Sequence, residues 1–324
     1  MMQAAADRQY LRPILILSGV VFALALADHG NGEVFTKATL FSALETFAAG
    51  GLVSLGLGVA MIAGEFDLSV VGVFSLAGCV AVLTGEANPF IGVAAALCTG
   101  IVAGALQGFL ITRLRLSSVG VTLGGMLTCN GLAAVITQNQ SIPYNNMDVA
   151  LGVSSAIAHF FSIRSLIVFA IFGIVGLFGL LTRYGRDIVA LGSDRRAAKT
   201  AGVPASRLIV RIFAFSGFCA ALSGALASYS LASASPAGLS DVILPAVAGA
   251  ILGGVSLGGG SGRPFGIMIG ALTFSVLRTG LNALGAPPFV NDVAMGAVLL
   301  AVSLIDSPVL ARRLRRQWAG TPQE

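Results

Sequence analysis

The chain has 324 residues, of which 56% are hydrophobic and only 10% are charged. Soluble globular domains carry roughly 25% charged residues, so this chain cannot cover a water-facing surface with polar groups. The composition therefore excludes a soluble enzyme or a soluble binding module. It predicts an all-α polytopic membrane protein that forms a single transmembrane domain over residues 1–324.

Apolar segments follow one another along almost the whole chain. A membrane-spanning helix needs roughly 20 residues, so about ten spans leave only short connections and no room for a soluble domain. The predicted spans are 13–27, 40–63, 68–84, 90–111, 119–138, 163–182, 208–232, 243–257, 265–283 and 290–306.

The basic residues are distributed unevenly between the connections. With the N-terminus in the cytoplasm, only Lys37 and Arg164 fall in outside segments, and Arg278 falls within a span. All the other Lys and Arg residues lie inside, which the positive-inside rule associates with cytoplasmic segments of a bacterial inner-membrane protein. This bias predicts that both termini are cytoplasmic. The net charge of +5 thus reflects topology, not nucleic-acid binding, and the basic cluster 312–318 is expected to anchor on anionic lipid.

The first predicted span allows two interpretations. Residues 14–27 are apolar, follow basic residues and end in Ala25-Leu26-Ala27. That pattern is also typical of a signal peptide with a small-residue cleavage site. We expect residues 1–27 to be retained as a helix, and cleavage remains the alternative.

Two acidic residues, Glu65 and Asp67, lie between the second and third spans. Charges are costly at membrane depth, so two acids at a short break between spans indicate a position at a membrane face that has a purpose. Asp67 is predicted to cap the third span, because a carboxylate is stabilised near the first amides of a helix. Ser69 completes this turn, and Glu65 has no assigned role. The sharper alternative is that these acids mark an ion path.

The connection 183–211 is the longest one predicted on the cytoplasmic side. Ser193 or Asp194 can cap a short helix over residues 195–201, which Gly202 ends. The connection is either a solvated linker or a stiff element that transmits movement between a soluble partner and the adjoining spans.

Polar side chains inside the spans are candidates for lining a pathway, and hydrogen bonding between helices is the alternative for each. Arg278 can extend to the outer face, pair with Asp292 or pair with Glu45. The candidate pathway residues are Gln107, Asn130, Arg278 and Asn282.

No catalytic or metal-binding pattern is visible. The four cysteines form no CxxC pair, the two histidines have no partner motif, and no GxxxxGK[ST] phosphate loop is present. We therefore predict no metal and no cofactor bound by this chain.

Five segments, taken in order, resemble the permease subunit of bacterial sugar ABC importers of the ribose/xylose/galactose type. Residues 63–70 read AGEFDLSV, close to the family's GGIDLSVG. The other matching segments are 116–124 with 130–133, 185–192 with 201–203, 250–263, and 280–285.

The resemblance implies a function for the whole chain. It implies that a periplasmic binding protein delivers a monosaccharide or polyol, that a second permease copy completes the pathway, and that ATP is hydrolysed in a separate subunit. The short cytoplasmic helix becomes the coupling helix that docks on this ATPase, and Glu65, Asp67 and Ser69 become an inner-gate turn. The implied coupling residues are Ser193, Asp194, Arg195, Arg196, Ala197, Ala198, Lys199 and Gly202.

The chain also departs from the family pattern. Glu65 stands where a glycine is common, Asn130 replaces an arginine, and Arg195 and Arg196 replace acidic residues of the coupling helix. Two alternatives therefore remain: an ion-coupled secondary transporter, and a branched-chain amino-acid permease of the same superfamily. The sequence does not identify the sugar.

Overall fold

The computed structural model describes residues 2–30, 32–157, 159–238 and 243–305. Within these residues the chain forms helices joined by short turns, with one pair of two-residue strands, β1 and β2. The strands are Ile142–Pro143 and Ser233–Ala234, and they pair antiparallel. The helices are α1 Met2–Ala27, α2 Lys37–Ile62, α3 Val70–Thr84, α4 Pro89–Leu114, α5 Ser118–Ile136, α6 Met147–Ser154, α7 Ile163–Leu181, α8 Arg183–Ser193, α9 Arg195–Thr200, α10 Ala205–Ser230, α11 Ile243–Leu252, α12 Pro264–Ala283 and α13 Pro288–Ile305.

Every predicted span contains a helix of the structure, and the all-α membrane architecture is confirmed. Six of the described helices are long and apolar enough to cross a membrane, namely α2, α4, α5, α7, α10 and α12. The predicted span 243–257 contains only the ten residues of α11. At 1.5 Å per residue that helix is about 15 Å long, half the thickness of the hydrocarbon core. The count of ten full spans therefore remains a prediction.

Helices α2 and α10 form the centre of the bundle, where most of their residues are buried. The broadest helix contact joins α10 to α4. It depends on small residues, since a Cβ on Gly217 would lie 2.0 Å from the carbonyl oxygen of Gly100. Close backbone approach of this kind is how helices gain packing energy in a membrane, where burial of apolar surface provides little. The glycine-rich composition thus serves the core of the bundle.

Successive long helices run in opposite directions between two ends of the bundle. We call one end the basic end, because arginines and lysines cluster in and beside its connections. Backbone and side-chain contacts bring these connections together. The basic end comprises residues 63–69, 115–117, 182–204 and 253–263.

The opposite end is held by side chains. Tyr144 and Tyr229 stack with their ring centroids 4.5 Å apart. The Tyr144 hydroxyl donates to the carbonyl oxygen of Gly85 at 3.1 Å, and that of Tyr229 donates to Pro89 at 3.0 Å. These bonds connect the start of α4 to the end of α10, so this end of the bundle is fastened by aromatic groups.

An ion pair adds to this fastening. Arg164 donates to Glu45 at 3.0 Å and to the Ser230 hydroxyl at 2.6 Å, and its side chain is buried. Arg164, which the charge distribution assigned to an outside segment, is thus a member of a buried ion pair. The pairing of Glu45 with Arg278, one of the alternatives that the sequence allowed, is not observed among the described residues.

Candidate functional site

The short helix predicted between the spans is present as α9, one residue shorter than expected. Of the two candidate caps, Asp194 caps it: one carboxylate oxygen accepts from the amides of Arg196 at 2.8 Å and Ala197 at 3.1 Å. The Ser193 hydroxyl instead donates to the carbonyl oxygen of Val189. Gly202 follows the helix with φ +86°, a conformation that favours glycine. The local sequence thus defines both ends of α9.

A second helix, α8, precedes α9 and was expected to be part of a loop. Its apolar side is formed by Ile188 and Leu191, which pack on the core of the bundle, whereas Arg183 and Arg186 are exposed. Tyr184, Ile188 and Leu191 have the i, i+4, i+7 spacing of an amphipathic helix, so the signal was present in the sequence. This helical spacing was overlooked because the segment contains many charged residues.

The two alanines of α9 face in opposite directions. Ala198 is buried, with 3% of its surface exposed, and it seats α9 on the bundle. Ala197 is exposed, as are Arg196 and Lys199. We call Arg196, Ala197 and Lys199 the docking face, because these side chains of the predicted coupling set are exposed on α9 and form no hydrogen bond or ion pair among the described residues.

Glu65 acquires a role that the sequence did not provide. The Arg195 guanidinium donates to its carboxylate, across 130 positions of the chain. The Glu65 side chain is 6% exposed and that of Arg195 is 46% exposed. A buried carboxylate without a partner would be strongly destabilising, so Arg195 allows Glu65 to occupy this position. Two residues at which the chain departs from the expected family pattern are therefore bonded to each other.

Beside this ion pair, three connections touch through backbone atoms. A Cβ on Gly192, at the end of α8, would lie 1.9 Å from the carbonyl oxygen of Ile62, the last residue of α2. The same carbonyl accepts a hydrogen bond from the Gly260 amide at 2.8 Å. A Cβ on Gly259 would lie 2.8 Å from the α carbon of Gly64. We call these four glycines, Gly64, Gly192, Gly259 and Gly260, the glycine junction.

Asp67 lies deeper, in the turn between α2 and α3, and is fully buried. One of its oxygens accepts from the amide of Ser69 at 3.0 Å and from its hydroxyl at 2.5 Å. Burial raises the pKa of Asp67, and the bonds from Ser69 oppose that rise. The carboxylate therefore binds the residue before α3 and no amide within the helix, which corrects the predicted cap. It stabilises the turn itself.

The start of α5 completes this arrangement. The Thr122 hydroxyl accepts from the Leu68 amide at 3.1 Å, and the Ser118 hydroxyl accepts from the Phe66 amide at 3.3 Å. Residues of α5 thus satisfy the backbone of the 63–69 turn. Four of the five segments that carry the family resemblance meet at this single place.

The candidate pathway residues do not form one cluster. Gln107 is buried on α4 against Gly125 of α5, and Asn130 is half-buried on α5. On α12, Asn282 accepts a hydrogen bond from Asn291 at 2.8 Å. Arg278 is exposed and forms no hydrogen bond or ion pair with the residues that the structure describes, so the proposed pairing with Asp292 is not observed.

The residues in the described ranges contain no group of three or more His, Cys, Asp or Glu side chains that could hold a metal ion. The site combines a short exposed helix, an ion pair and backbone contacts with a buried turn. These close-packed groups have little room for compression.

Comparison with known proteins identifies the family. Residues 39–303 match the family described as branched-chain amino acid transport system / permease component. The chain belongs to this permease family. It is a multi-pass membrane protein of the inner membrane, and it is a transport component and not a catalytic enzyme.

The relatives that match the chain include permeases named for the sugars ribose and arabinose. The chain is 29% identical to the ribose import permease protein RbsC of Escherichia coli K12, over 93% of this chain and 94% of the relative. It is 32% identical to the L-arabinose transport system permease protein AraH of the same strain, over 79% and 78%. It is 30% identical to RbsC of Bacillus subtilis, over 92% of each. The resemblance to sugar ABC importer permeases is confirmed.

We expect Gly192→Ala to damage the site, since its methyl group would meet backbone atoms of α2 that have no rotamer to change. Purified protein in detergent should melt at a lower temperature, and transport should be lost. Gly173→Ala is the matched control, because a Cβ there has nothing within 4 Å. An unchanged melting temperature for Gly192→Ala would contradict the proposed contact.

The ion pair predicts unequal effects of removing its two charges. Arg195→Gln leaves the buried Glu65 without a partner, which should cost about 1–3 kcal/mol, whereas Glu65→Gln leaves an arginine that still reaches water. Thermal unfolding should show the larger loss for Arg195→Gln and partial recovery in the double variant. Arg196→Gln, on the docking face, is the control and should unfold like the wild type. Equal losses for the two single variants would refute the asymmetry.

Proposed function

We propose that this chain is the membrane-spanning subunit of an ATP-driven importer that translocates a monosaccharide or a related polyol. A periplasmic binding protein would deliver the sugar, and a separate ATPase subunit would supply the energy. The ribose and arabinose permeases among the relatives support this substrate class. The observation that carries the proposal is the glycine junction, which joins an exposed helix to the ends of membrane helices.

Energy transfer follows from these contacts. An ATPase that binds the docking face of α9 would move α9 and α8 together, because Asp194 belongs to both helix ends. Displacement of Gly192 then pushes on the carbonyl of Ile62, and so on α2. The Arg195–Glu65 pair pulls the 63–69 turn in the same direction. Movement of α8 is thereby converted into movement of α2 and α3 at the centre of the bundle.

The docking face also indicates the charge of its partner. Arg196 and Lys199 are exposed beside Ala197, and Asp194 is occupied in capping the helix. An acidic cleft on the ATPase would complement this face, since opposite charges steer association. A partner built for the acidic coupling helix expected from the family would fit less well.

A second permease copy would complete the pathway. Helix α5 is largely exposed, and a Cβ on Gly120, Gly124 or Gly131 would touch nothing within 4 Å. Small residues spaced along one helix allow close helix–helix packing in membranes. We propose that this face of α5 adjoins the second copy, which supports a homodimer.

Sugar contacts within the pathway are proposed for Arg278 and Asn282. Both are exposed on α12, one helical turn apart, and both can donate hydrogen bonds to hydroxyl groups. Gln107 and Asn130 also have side-chain oxygens without a hydrogen-bond partner. The binding protein is expected to select the sugar, so these few polar groups need to bind it only weakly.

The two alanines of α9 provide the main test. Ala197→Glu should abolish ATPase binding and sugar uptake with an unchanged melting temperature, because it alters only the docking face. Ala198→Glu should instead lower the melting temperature, because it buries a charge. Ala87→Glu adds the same charge to an exposed alanine at the opposite end and should leave ATPase co-purification intact. Uptake of ribose or arabinose that survives both Ala197→Glu and ATP depletion would refute the importer.

Asp67 separates the importer from an ion-coupled transporter. In Asp67→Asn, the amide oxygen can still accept the two bonds from Ser69, so the turn should persist with some loss of expression. Sugar uptake per molecule should then be retained. If Asp67 carried a coupling ion, the neutral variant would lose uptake while its melting temperature remained that of the wild type.

A further inference from the structure

A cavity of about 1020 Å³ lies at the basic end, between α7, α8, α10 and the segment 260–265. It is as large as the upper range of small-molecule sites. Its walls are mainly apolar. Representative wall residues are Val59, Ile62, Ile174, Phe178, Leu208 and Phe215. The cavity lies apart from the docking face, and it shares only Ile62 and Gly260 with the contacts of the glycine junction.

The charged side chains that line this cavity are all basic. Arg186, Arg211 and Arg263 line it, and no aspartate or glutamate does so among its lining residues. Arg211 donates to the Tyr184 hydroxyl at 2.7 Å, and its guanidinium lies 5.4 Å from the centre of the Tyr184 ring. This contact orients Arg211 along the cavity edge and leaves other donors of the guanidinium available.

Apolar walls together with arginines suit an anionic lipid better than a sugar. Apolar walls cannot satisfy the hydroxyl groups of a sugar, so the cavity is a poor sugar site. Guanidinium groups bind phosphate oxygens well, and basic pockets between membrane helices are established sites for anionic lipid head groups. The cavity also borders α7, whose Ile174 and Phe178 are exposed on the outer surface of the bundle. An acyl chain can therefore enter from the bilayer.

We propose that an anionic phospholipid binds in this cavity, with its phosphate on Arg211 and Arg186 and an acyl chain along the apolar walls. The binding requires only that the protein lies in a membrane with this end at the lipid head groups. Its consequence rests on the proposed function: α8 is one wall of the cavity and leads to Gly192 and α9. A bound lipid would thus hold α8 apart from α7 and α10 and set the resting position of the coupling helix.

The test measures lipid binding to the purified full-length chain in nanodiscs, without the ATPase. Phosphatidylglycerol in phosphatidylcholine should raise the melting temperature of the wild type, and phosphatidylcholine alone should not. In Arg186→Gln/Arg211→Gln the apparent affinity for phosphatidylglycerol should fall on the order of tenfold or more. Arg113→Gln removes an exposed arginine that does not line the cavity, and it should bind lipid like the wild type.

Two further variants separate lipid binding from misfolding. Tyr184→Phe removes the hydroxyl that accepts from Arg211 but keeps the arginine, so lipid binding should persist. Ala190→Phe keeps every charge and fills part of the cavity, so lipid binding should weaken. Native mass spectrometry of the retained lipid gives a second readout of each variant.

Three outcomes would overturn the proposal. They are an absent lipid effect in the wild type, an equal effect in Arg186→Gln/Arg211→Gln, and an equal effect of inorganic phosphate without lipid. Because no transport is measured, these results do not depend on the importer function. Conversely, uptake that survives Ala197→Glu and ATP depletion would refute the importer and leave the lipid measurement unchanged.

Discussion

The contact between Gly192 and the carbonyl oxygen of Ile62 is the constraint on which the basic end depends. A Cβ at this position would lie 1.9 Å from that oxygen, so only glycine allows α8 to end against α2. The Gly260 amide donates to the same oxygen, which also brings the segment 253–263 to this place. Three parts of the chain that are distant in sequence are thereby held at backbone distance.

The helices are held together by different kinds of contact at the two ends of the bundle. At the opposite end, stacked tyrosines and the Arg164–Glu45 pair fasten helices through large side chains. At the basic end, glycines and short polar side chains bring the backbone of the connections together. The Arg195–Glu65 pair adds a side-chain contact at the basic end. The two ends therefore differ in how much of their contact is made by backbone atoms.

Much of this structure could be predicted from the sequence, and the failures have physical causes. Hydropathy located every long helix, and cap chemistry at Asp194 and Gly202 located α9 to within one residue. Helix α8 was missed because its charges concealed a helical spacing of apolar residues. The partner of Glu65 could not be predicted, because 130 residues separate it from Arg195 and no local pattern encodes a distant contact. Asp67 was placed in the correct turn with the wrong partner, since several amides lie within reach of a carboxylate there.

The division of α9 into a buried side and an exposed side has a consequence for how such a subunit changes over time. Ala198 is buried against the bundle, while Arg196, Ala197 and Lys199 are exposed. Under the proposed function, substitutions on the exposed side would alter which ATPase is recognised without altering the contacts of the glycine junction. A helix of only six residues would then separate partner recognition from force transmission.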